Sequence, residues 1–500
     1  MSSPTNTTTP TITPRIIIHG GAGNISRANL PDPSHAAYRA SLRRILSLAR
    51  AELAASDPPA TALDVATRAV SRFEDDALFN AGRGAVFTRG GTNELEASVM
   101  VSSVGRGGYR KRGAGCMLVR RVKNPVLLAR EILVRSAEGA VGEEKVGGGG
   151  AQGHVQLSGS YVEELARGWG LEMVEPGYFF TQRRWDEHVR GLEREEGAAV
   201  ASSEDVEAPR VLMGDGDPSW DGKEYLPQGT VGAVVLDRFG TICAATSTGG
   251  LTNKLPGRIG DTPTFGAGYW AEEWIEDDDD DDVGEGDGSS SAAPPVYSST
   301  IPTMSYHPAA ASAAARSPMD KLSRGDIASL LSDCLPSLSP AASPSPADEK
   351  PHPPPRRHRL RHAVGMSGTG NGDSFLQVCA ARTAAAIPRF SSSSSSSPHT
   401  KKFLRDGMAR VAGPGGELQR SAGERWGVTG EGEGGIIGIE VVVAEGDGEE
   451  EGEGEGRRQV RSWVGYDLNC GGMFRAWVDG EGRERVAVFA DEDGLEGEER

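Results

Sequence analysis

The chain has 500 residues, of which 37% are hydrophobic and 25% are charged, and its formal net charge is -18 at pH 7. This hydrophobic content suffices for one large core or two ordinary ones, which excludes a chain that is disordered throughout. The acidic balance and the lack of a continuous basic stretch argue against nucleic acid as a partner, because phosphate backbones would repel the chain.

The apolar runs and the cysteine spacing indicate in which cellular compartment the protein is expected. The segment from Met1 to Pro14 has no charged region followed by an apolar core, which predicts no secretion signal. The sequence has no run of about 18 apolar residues, so no membrane partner is predicted. Five scattered cysteines without CxxC spacing predict reduced thiols and no zinc site. We therefore expect a soluble, cytoplasmic protein.

The first half of the chain alternates strand-like and helical patterns. A β-branched run from Arg15 to Ile18 leads into HGGAG, which predicts a strand that enters a glycine-rich turn. Helical periodicity follows Asp32-Pro33-Ser34 and returns over Ala60–Phe73. Two further strands and two further helices are predicted over Glu94–Val101, Gly115–Val119, Asn124–Ile132 and Tyr161–Gly168.

The second half is richer in apolar strands. Two of them, Thr230–Leu236 and Ile242–Thr246, are separated by DRFG and predict a hairpin. Three later strands are predicted over Gly435–Val443, Val460–Val464 and Met473–Val478. Amphipathic helices that alternate with hairpins favour an α+β fold in which helices pack on antiparallel sheets.

Four stretches have the composition of disordered insertions, with Ser, Pro, Gly or acidic residues in excess. Their predicted bounds are 200–226, 272–361, 391–400 and 446–458. The folded part is therefore expected to be shorter than the chain.

Thr230 is the first candidate for chemistry, because it follows a glycine and begins an apolar strand. A threonine hydroxyl is a poor nucleophile at neutral pH, and its own α-amino group becomes a suitable base once the residue is a chain terminus. That amine titrates at about pH 8. Gly229 leaves the preceding carbonyl open to attack. Taken alone, this dipeptide also fits a plain strand start.

Two downstream stretches add groups that such a nucleophile needs. The second strand of the hairpin ends in TSTGG, which can bring a hydroxyl beside Thr230. Arg258 and Asp261 then stand three residues apart on a glycine-rich turn. Arginine binds a carboxylate through two hydrogen bonds, and aspartate accepts from an ammonium group. The pair suits the α-carboxylate and α-amine of an amino acid, with an internal salt bridge as the alternative.

A small-residue loop, Ser367–Asp373, precedes an apolar helical segment. The Thr369 hydroxyl and the Gly370 N–H could form an oxyanion hole, in which each donor is typically worth about 3 kcal/mol. A helix-capping turn and a phosphate cradle are the alternatives for a loop of this composition.

The order GTVGAV from Gly229, TSTGG from Thr246, PGRIGD from Pro256 and GAG from Gly266 resembles the start of the β-subunit in plant-type asparaginases and isoaspartyl peptidases. Four other stretches also resemble this family: IIIHGGAG at 16–23, FNAGRG at 79–84, YFFTQRRW at 178–185 and NCGGMFR at 469–475.

The resemblance implies a four-layer αββα sandwich of the N-terminal-nucleophile hydrolases, made as a precursor that cuts itself between Gly229 and Thr230. Residues 15–229 would then form the α-subunit portion of one domain, and residues 230–500 the β-subunit portion. The implied reaction is release of aspartate from asparagine or isoaspartyl peptides through a covalent aspartyl-enzyme.

The resemblance also implies roles for individual residues. Thr230 would be the nucleophile, supported by Thr248 and by Asn80. The implied substrate and oxyanion contacts come from two turns, comprising Arg258, Ile259, Gly260, Asp261, Thr369, Gly370, Asn371 and Gly372. The cleaved fragments would stay associated and pair as a dimer of heterodimers. No catalytic cofactor is implied, and a structural sodium or potassium ion in a glycine-rich loop is compatible with the likeness.

Departures from the family keep other functions open. The family usually has DASIMDG where this chain has EASVMVS from Glu96. The GNGD sequence from Gly370 favours a glycosylasparaginase, and GYWAE from Gly268 favours a taspase-like endopeptidase. An uncleaved, inactive scaffold that binds partners through its acidic insertions is the alternative from another class. The joint presence of Thr230, Thr248 and the Arg258 turn favours an enzyme.

Overall fold

The computed structural model of the chain describes residues 12–55, 57–136, 150–203, 229–278, 358–391, 403–445 and 460–492. All the elements below lie in these ranges.

One sheet has eight strands in the order β12-β11-β1-β5-β6-β2-β3-β4. Neighbouring strands are antiparallel, apart from the parallel pair β3 and β4. The strands are β1 Arg15–Gly23, β2 Leu95–Val101, β3 Gly113–Val119, β4 Gln156–Ser158, β5 Val231–Leu236, β6 Ile242–Thr248, β11 Gly472–Val478 and β12 Glu484–Phe489. The predicted hairpin is confirmed, because β5 pairs with β6 in an antiparallel register.

A second sheet has four antiparallel strands in the order β10-β9-β8-β7. They are β7 Tyr269–Asp278, β8 His358–Gly370, β9 Gly434–Glu445 and β10 Val460–Leu468. Residues of β1 and β5 pack against β9 in one hydrophobic cluster, to which Ile17, Val234 and Ile439 belong. The two sheets therefore share a core.

Alternate residues of the central strands enter different clusters. Ile17 lies in the cluster between the sheets, whereas Ile16 and Ile18 lie in a cluster with side chains of α1 to α3. Because successive strand residues point to opposite faces, the first sheet is buried on both faces. This explains why β1 and β5 are apolar runs without polar alternation.

Nine α-helices lie in the described part of the chain. They are α1 Asp32–Ala54, α2 Ala62–Glu74, α3 Pro125–Arg135, α4 Gly159–Gly168, α5 Gln182–Ser203, α6 Gly372–Val378, α7 Ala380–Phe390, α8 Leu404–Ala412 and α9 Glu417–Ala422. Thr61 caps α2 by accepting a hydrogen bond from the Asp64 N–H, and Pro125 occupies the first turn of α3. Helices α6 to α9 share a cluster with Val364 and Met366 of β8. The α+β prediction is confirmed.

Three sequence predictions need correction. The expected insertion 272–361 was too wide, because β7 continues to Asp278 and β8 begins at His358. The acidic residues at the end of β7 hid this strand, although antiparallel pairing joins Glu272 to Val364 and Glu276 to Leu360. Helix α5 likewise runs to Ser203, into the expected insertion 200–226.

The third correction concerns the small-residue loop at 367–373. Ser367 to Gly370 continue β8 and pair with β9 in register, with Thr369 opposite Gly435. Glycine is required in this strand, because a Cβ at Gly368 would lie 2.3 Å from Phe375 Cε1 and a Cβ at Gly370 would lie 2.3 Å from the Glu433 carbonyl oxygen. The centres of the expected insertions, at 279–357, 204–226, 392–400 and 446–458, lie outside the described residues.

Candidate active site

Gly229 and Thr230 lie where β5 meets the glycine-rich end of β1. Thr230 is 5% exposed. A Cβ added at Gly229 would lie 2.2 Å from Gly21 Cα and 2.7 Å from Thr369 Oγ1. Gly21 itself has a φ of +124°, a conformation that favours glycine. Only a residue without a side chain therefore fits before Thr230.

Hydroxyl groups surround the Thr230 side chain. The β5–β6 register pairs Val231 with Ser247, which brings Thr248 beside Thr230. The Thr248 hydroxyl accepts a hydrogen bond from the Gly250 N–H at 3.0 Å. On the other side, Thr230 Oγ1 lies 3.0 Å from Thr262 Oγ1. Thr230 and Thr248 line the same pocket.

Six of the twelve predicted site residues border one narrow pocket. Its lining comprises Thr230, Thr248, Gly250, Leu251, Arg258, Asp261, Gly370 and Gly372. These residues come from four separate stretches of sequence, so the fold brings them together. The remaining predicted site residues do not belong to this lining; they are Gly229, Asn80, Ile259, Gly260, Thr369 and Asn371. Ile259 is 39% exposed, and the Asn371 side chain caps α6 by accepting from the Ser374 N–H at 3.0 Å.

The Arg258 turn presents one cation and one buried acid to the pocket. Arg258 Nη2 lies 2.9 Å from Asp373 Oδ1. Asp261 is 5% exposed, and its Oδ2 has no hydrogen-bond partner among the described residues. Burial raises the pKa of Asp261 to about 7, against the opposing effect of nearby Arg258. The alternative, an internal Arg258–Asp261 salt bridge, is not among the ion pairs of the described residues, whereas Arg258 pairs with Asp373.

Thr369 and Gly370 are the last two residues of β8, and Gly370 lines the pocket. The Thr369 hydroxyl is fully buried and has no hydrogen-bond partner among the described residues. Gly370 has a φ of +145°, and a Cβ there would lie 2.3 Å from the Glu433 carbonyl oxygen. A buried donor without a partner normally costs stability, so it points to a ligand-facing role.

Residues 12–275, more than half of the chain, match the family model described as asparaginase. The chain belongs to the plant-type asparaginase and isoaspartyl peptidase family. It is 41% identical to an isoaspartyl peptidase of Escherichia coli K12 over 256 residues, which are 51% of this chain and 67% of that protein. It is 36% identical to a putative isoaspartyl peptidase/L-asparaginase of Dictyostelium discoideum over 275 residues, with 52% and 70% covered. A plant-type L-asparaginase of Pyrobaculum calidifontis is 31% identical over 261 residues, with 52% and 71% covered.

The family match ends at residue 275, so Thr369 and Gly370 lie beyond it. The structure places Thr369 beside Gly229 and Gly370 in the pocket wall. This asparaginase-family chain thus keeps an intact pocket although about 80 residues, 279–357, separate β7 from β8.

Sequence reasoning missed several residues behind the pocket. Glu96 of β2 is buried and accepts from the Gly260 N–H through both carboxylate oxygens, at 3.1 Å each. Lys254 is also buried and donates to the Glu94 carbonyl oxygen at 2.7 Å. Burial lowers the pKa of Lys254 and raises the pKa of Glu96. The signal for Glu96 was present in the departure from DASIMDG, but its partner could not be read from one sequence.

Asn80 and His19 support the walls of the pocket. Asn80 donates to the Gly250 carbonyl oxygen at 2.8 Å and accepts from the Val86 N–H at 3.0 Å, which ties the FNAGRG loop to the end of TSTGG. His19 is fully buried, and its Nε2 lies 2.6 Å from Ser367 Oγ. Burial lowers the pKa of His19 to about 3, so the imidazole is neutral.

The described residues include no group of three or more His, Cys, Asp or Glu side chains that could hold a metal ion. In the FNAGRG loop, a Cβ at Gly84 would lie 2.7 Å from the carbonyl oxygens of both Ala77 and Phe79. Gly84 is therefore packed tightly against backbone and could not carry a side chain. None of the helices described is long and apolar enough to cross a membrane.

Proposed function

We propose that this chain is a precursor that cleaves itself between Gly229 and Thr230 and then releases aspartate from asparagine and isoaspartyl peptides. One observation carries the proposal: Thr230, Thr248, Arg258, Asp261 and Gly370 line a single pocket. The names of the relatives, isoaspartyl peptidase and L-asparaginase, support this substrate class.

Self-cleavage begins with attack by Thr230 Oγ1 on the Gly229 carbonyl carbon. A C–O bond forms, the C–N bond to Thr230 breaks, and the hydroxyl proton ends on the released nitrogen. Water then hydrolyses the resulting ester, which leaves a Gly229 carboxylate and a free Thr230 hydroxyl. The absence of a side chain at Gly229 supports this step, because nothing on that residue obstructs the carbonyl.

Turnover uses the new α-amine of Thr230 as the base. The amine takes the hydroxyl proton as Oγ1 attacks the substrate's side-chain carbonyl, and it then returns the proton to the leaving ammonia or peptide amine. The Thr369 hydroxyl and the Gly370 N–H stabilise the tetrahedral oxyanion. Water hydrolyses the aspartyl ester and releases aspartate. Arg258 binds the substrate α-carboxylate and Asp261 binds its α-ammonium group.

The finer architecture and assembly belong to the same proposal. Helices, the eight-stranded sheet, the four-stranded sheet and a second set of helices form a four-layer αββα sandwich, which the three hydrophobic clusters support. The fragments 1–229 and 230–500 stay associated because β1 and β5 are paired neighbours in one sheet. They form a dimer of heterodimers that acts in the cytoplasm. A structural sodium or potassium ion in a glycine-rich loop is part of the same proposal.

The test is intact mass and N-terminal sequencing of purified protein after incubation, beside a Thr230→Ala variant. We expect a new terminus that begins Thr230-Val231-Gly232 in the wild type alone. The cleaved protein is then assayed with asparagine, a β-aspartyl dipeptide, a glycosylasparagine and a protein substrate. Release of aspartate from the first two supports the proposal. Turnover of only the glycosylasparagine or only the protein would assign the alternatives, and an intact, inactive wild type would favour the scaffold.

A further inference from the structure

Thr230 Oγ1 has a hydrogen-bond partner that neither the motifs nor the proposed mechanism uses. That partner is the hydroxyl of Thr262, at 3.0 Å. Thr262 lies in the turn between the Arg258 stretch and β7 and is fully buried. In the described part of the chain, this is the hydrogen bond that the Thr230 side chain makes.

The backbone of Thr262 is itself held from two strands. Its carbonyl oxygen accepts from Ser98 Oγ of β2 at 2.6 Å and from Thr246 Oγ1 of β6 at 3.3 Å. Ser98 Oγ and Thr246 Oγ1 also lie 2.6 Å apart. All three residues are fully buried. This hydroxyl network fixes Thr262 relative to the sheet that carries Thr230, because β6 pairs directly with β5.

Such a partner matters most before cleavage. In the precursor the Thr230 nitrogen is an amide, so the α-amine that later binds and orients the hydroxyl does not exist. Rotation about the Cα–Cβ bond of threonine decides whether the oxygen or the methyl group faces the preceding carbonyl. A fixed hydrogen-bond partner for Oγ1 selects one of these rotamers.

We propose that Thr262 is a positioning residue that holds the Thr230 hydroxyl in its attacking rotamer and so sets the rate of self-cleavage. The assignment rests on the proposed function, because it concerns the same nucleophile. Thr262 acts through Thr230 and contacts no substrate atom. When Thr230 donates to Thr262, the lone pairs of Thr230 Oγ1 stay available for attack on the carbonyl carbon.

The experiment follows self-cleavage of full-length wild type, Thr262→Val and Thr262→Ser by intact mass over time. Valine keeps the shape and removes the hydroxyl, whereas serine keeps the hydroxyl. We expect cleavage of Thr262→Val to be slowed by roughly tenfold, the effect of one net hydrogen bond, and Thr262→Ser to cleave near the wild-type rate. Thr67→Val is the matched control: Thr67 is an equally buried threonine on α2 whose hydroxyl bonds the Leu63 carbonyl oxygen.

A second measurement distinguishes a positioning role of Thr262 from a structural role in which its substitution would loosen the neighbouring Asp261. Once Thr262→Val is fully cleaved, asparagine turnover should show an unchanged KM and a kcat that falls less than the cleavage rate, because the α-amine then orients the hydroxyl and the binding turn is not disturbed. A raised KM with unchanged kcat, or equal slowing in Thr262→Ser, would overturn the assignment in favour of a structural role. If Thr262→Val does not fold, Thr262→Ala is read by the same criteria.

The two proposals fail in different ways. Cleavage of wild type and Thr262→Val at equal rates overturns the role of Thr262 and leaves the proposed function standing. A wild type that stays intact, like Thr230→Ala, overturns the proposed function and the role of Thr262 with it.

Discussion

Replacement of Glu74 by glutamine should stabilise the protein increasingly as the pH rises. Glu74 ends α2 beneath the strand that carries Thr248, and its Oε1 accepts from Ser247 Oγ at 2.7 Å and from the Val126 N–H at 2.9 Å. The side chain is fully buried, and burial is the main reason that its pKa is raised from 4.5 to about 8. The folded protein therefore holds this proton over a pH range in which the unfolded chain has lost it.

The direction and the size of this pH dependence follow from the linkage between proton binding and folding. A carboxyl whose folded pKa is raised contributes stability that is fully present below the unfolded pKa and is lost as the pH rises through the folded pKa. Each pH unit between the two values costs about 1.4 kcal/mol. From pH 5 to pH 8 the loss amounts to about 3 kcal/mol. Glutamine stays neutral and keeps the Oε1 acceptor, so Glu74→Gln escapes this loss.

The assay is urea unfolding at pH 5, 6.5 and 8 in the Thr230→Ala background, which keeps the chain in one piece. We expect the gain in free energy of unfolding from Glu74→Gln to grow by about 3 kcal/mol across this range. Glu417→Gln is the control, since Glu417 is an exposed residue of α9 paired with Arg420. A stability difference between Glu74→Gln and its parent that is the same at all three pH values would refute the reasoning.

Three further predictions concern the pocket. Because the pKa of Asp261 is raised to about 7, its affinity for a substrate ammonium group is lost as the pH falls below 7. The value of kcat/KM for asparagine should therefore decrease below pH 7. A substrate analogue without the α-amino group should not show this decrease. Gly229→Ala should block self-cleavage, because its Cβ would lie 2.2 Å from Gly21 Cα; a wild-type rate in the mass assay would contradict this packing. Thr369→Val should lower kcat of the cleaved enzyme by about 100-fold with little change in KM, and an unchanged kcat would remove Thr369 from the oxyanion hole.

Structure was predicted most accurately from the sequence where a local hydrophobic pattern and a sequence motif fall on the same residues. The hairpin of β5 and β6 was predicted from two apolar runs and a turn, and its register brings Thr248 to Thr230. The edges of β7 and β8 were mistaken for an insertion, because charged residues at an edge strand have the composition of a loop. Glu272 is a strand residue because it pairs with a strand that is distant in sequence. No local sequence pattern indicates this pairing.

Contacts across long stretches of sequence were beyond prediction for the same reason. Ser98 and Thr262 are 164 residues apart, and Glu74 and Ser247 are 173 apart. Each of these residues has an ordinary interpretation on its own, as a strand hydroxyl or a helix-end acid. Their importance depends on burial, which is a property of the assembled sheets.

Apart from the Arg258 turn, the groups around the uncleaved nucleophile are neutral at physiological pH. Thr230 contacts a hydroxyl, the neighbouring His19 is neutral because burial lowers its pKa to about 3, and Glu74 behind Ser247 is protonated because burial raises its pKa to about 8. Burial of uncompensated charge would oppose folding around the intact Gly229–Thr230 bond, so a neutral site suits the precursor. The α-amine that self-cleavage releases would then supply a base where the precursor has none beside the nucleophile. Chemistry on a substrate would therefore start only after the bond is cut, which makes cleavage the step that controls activity.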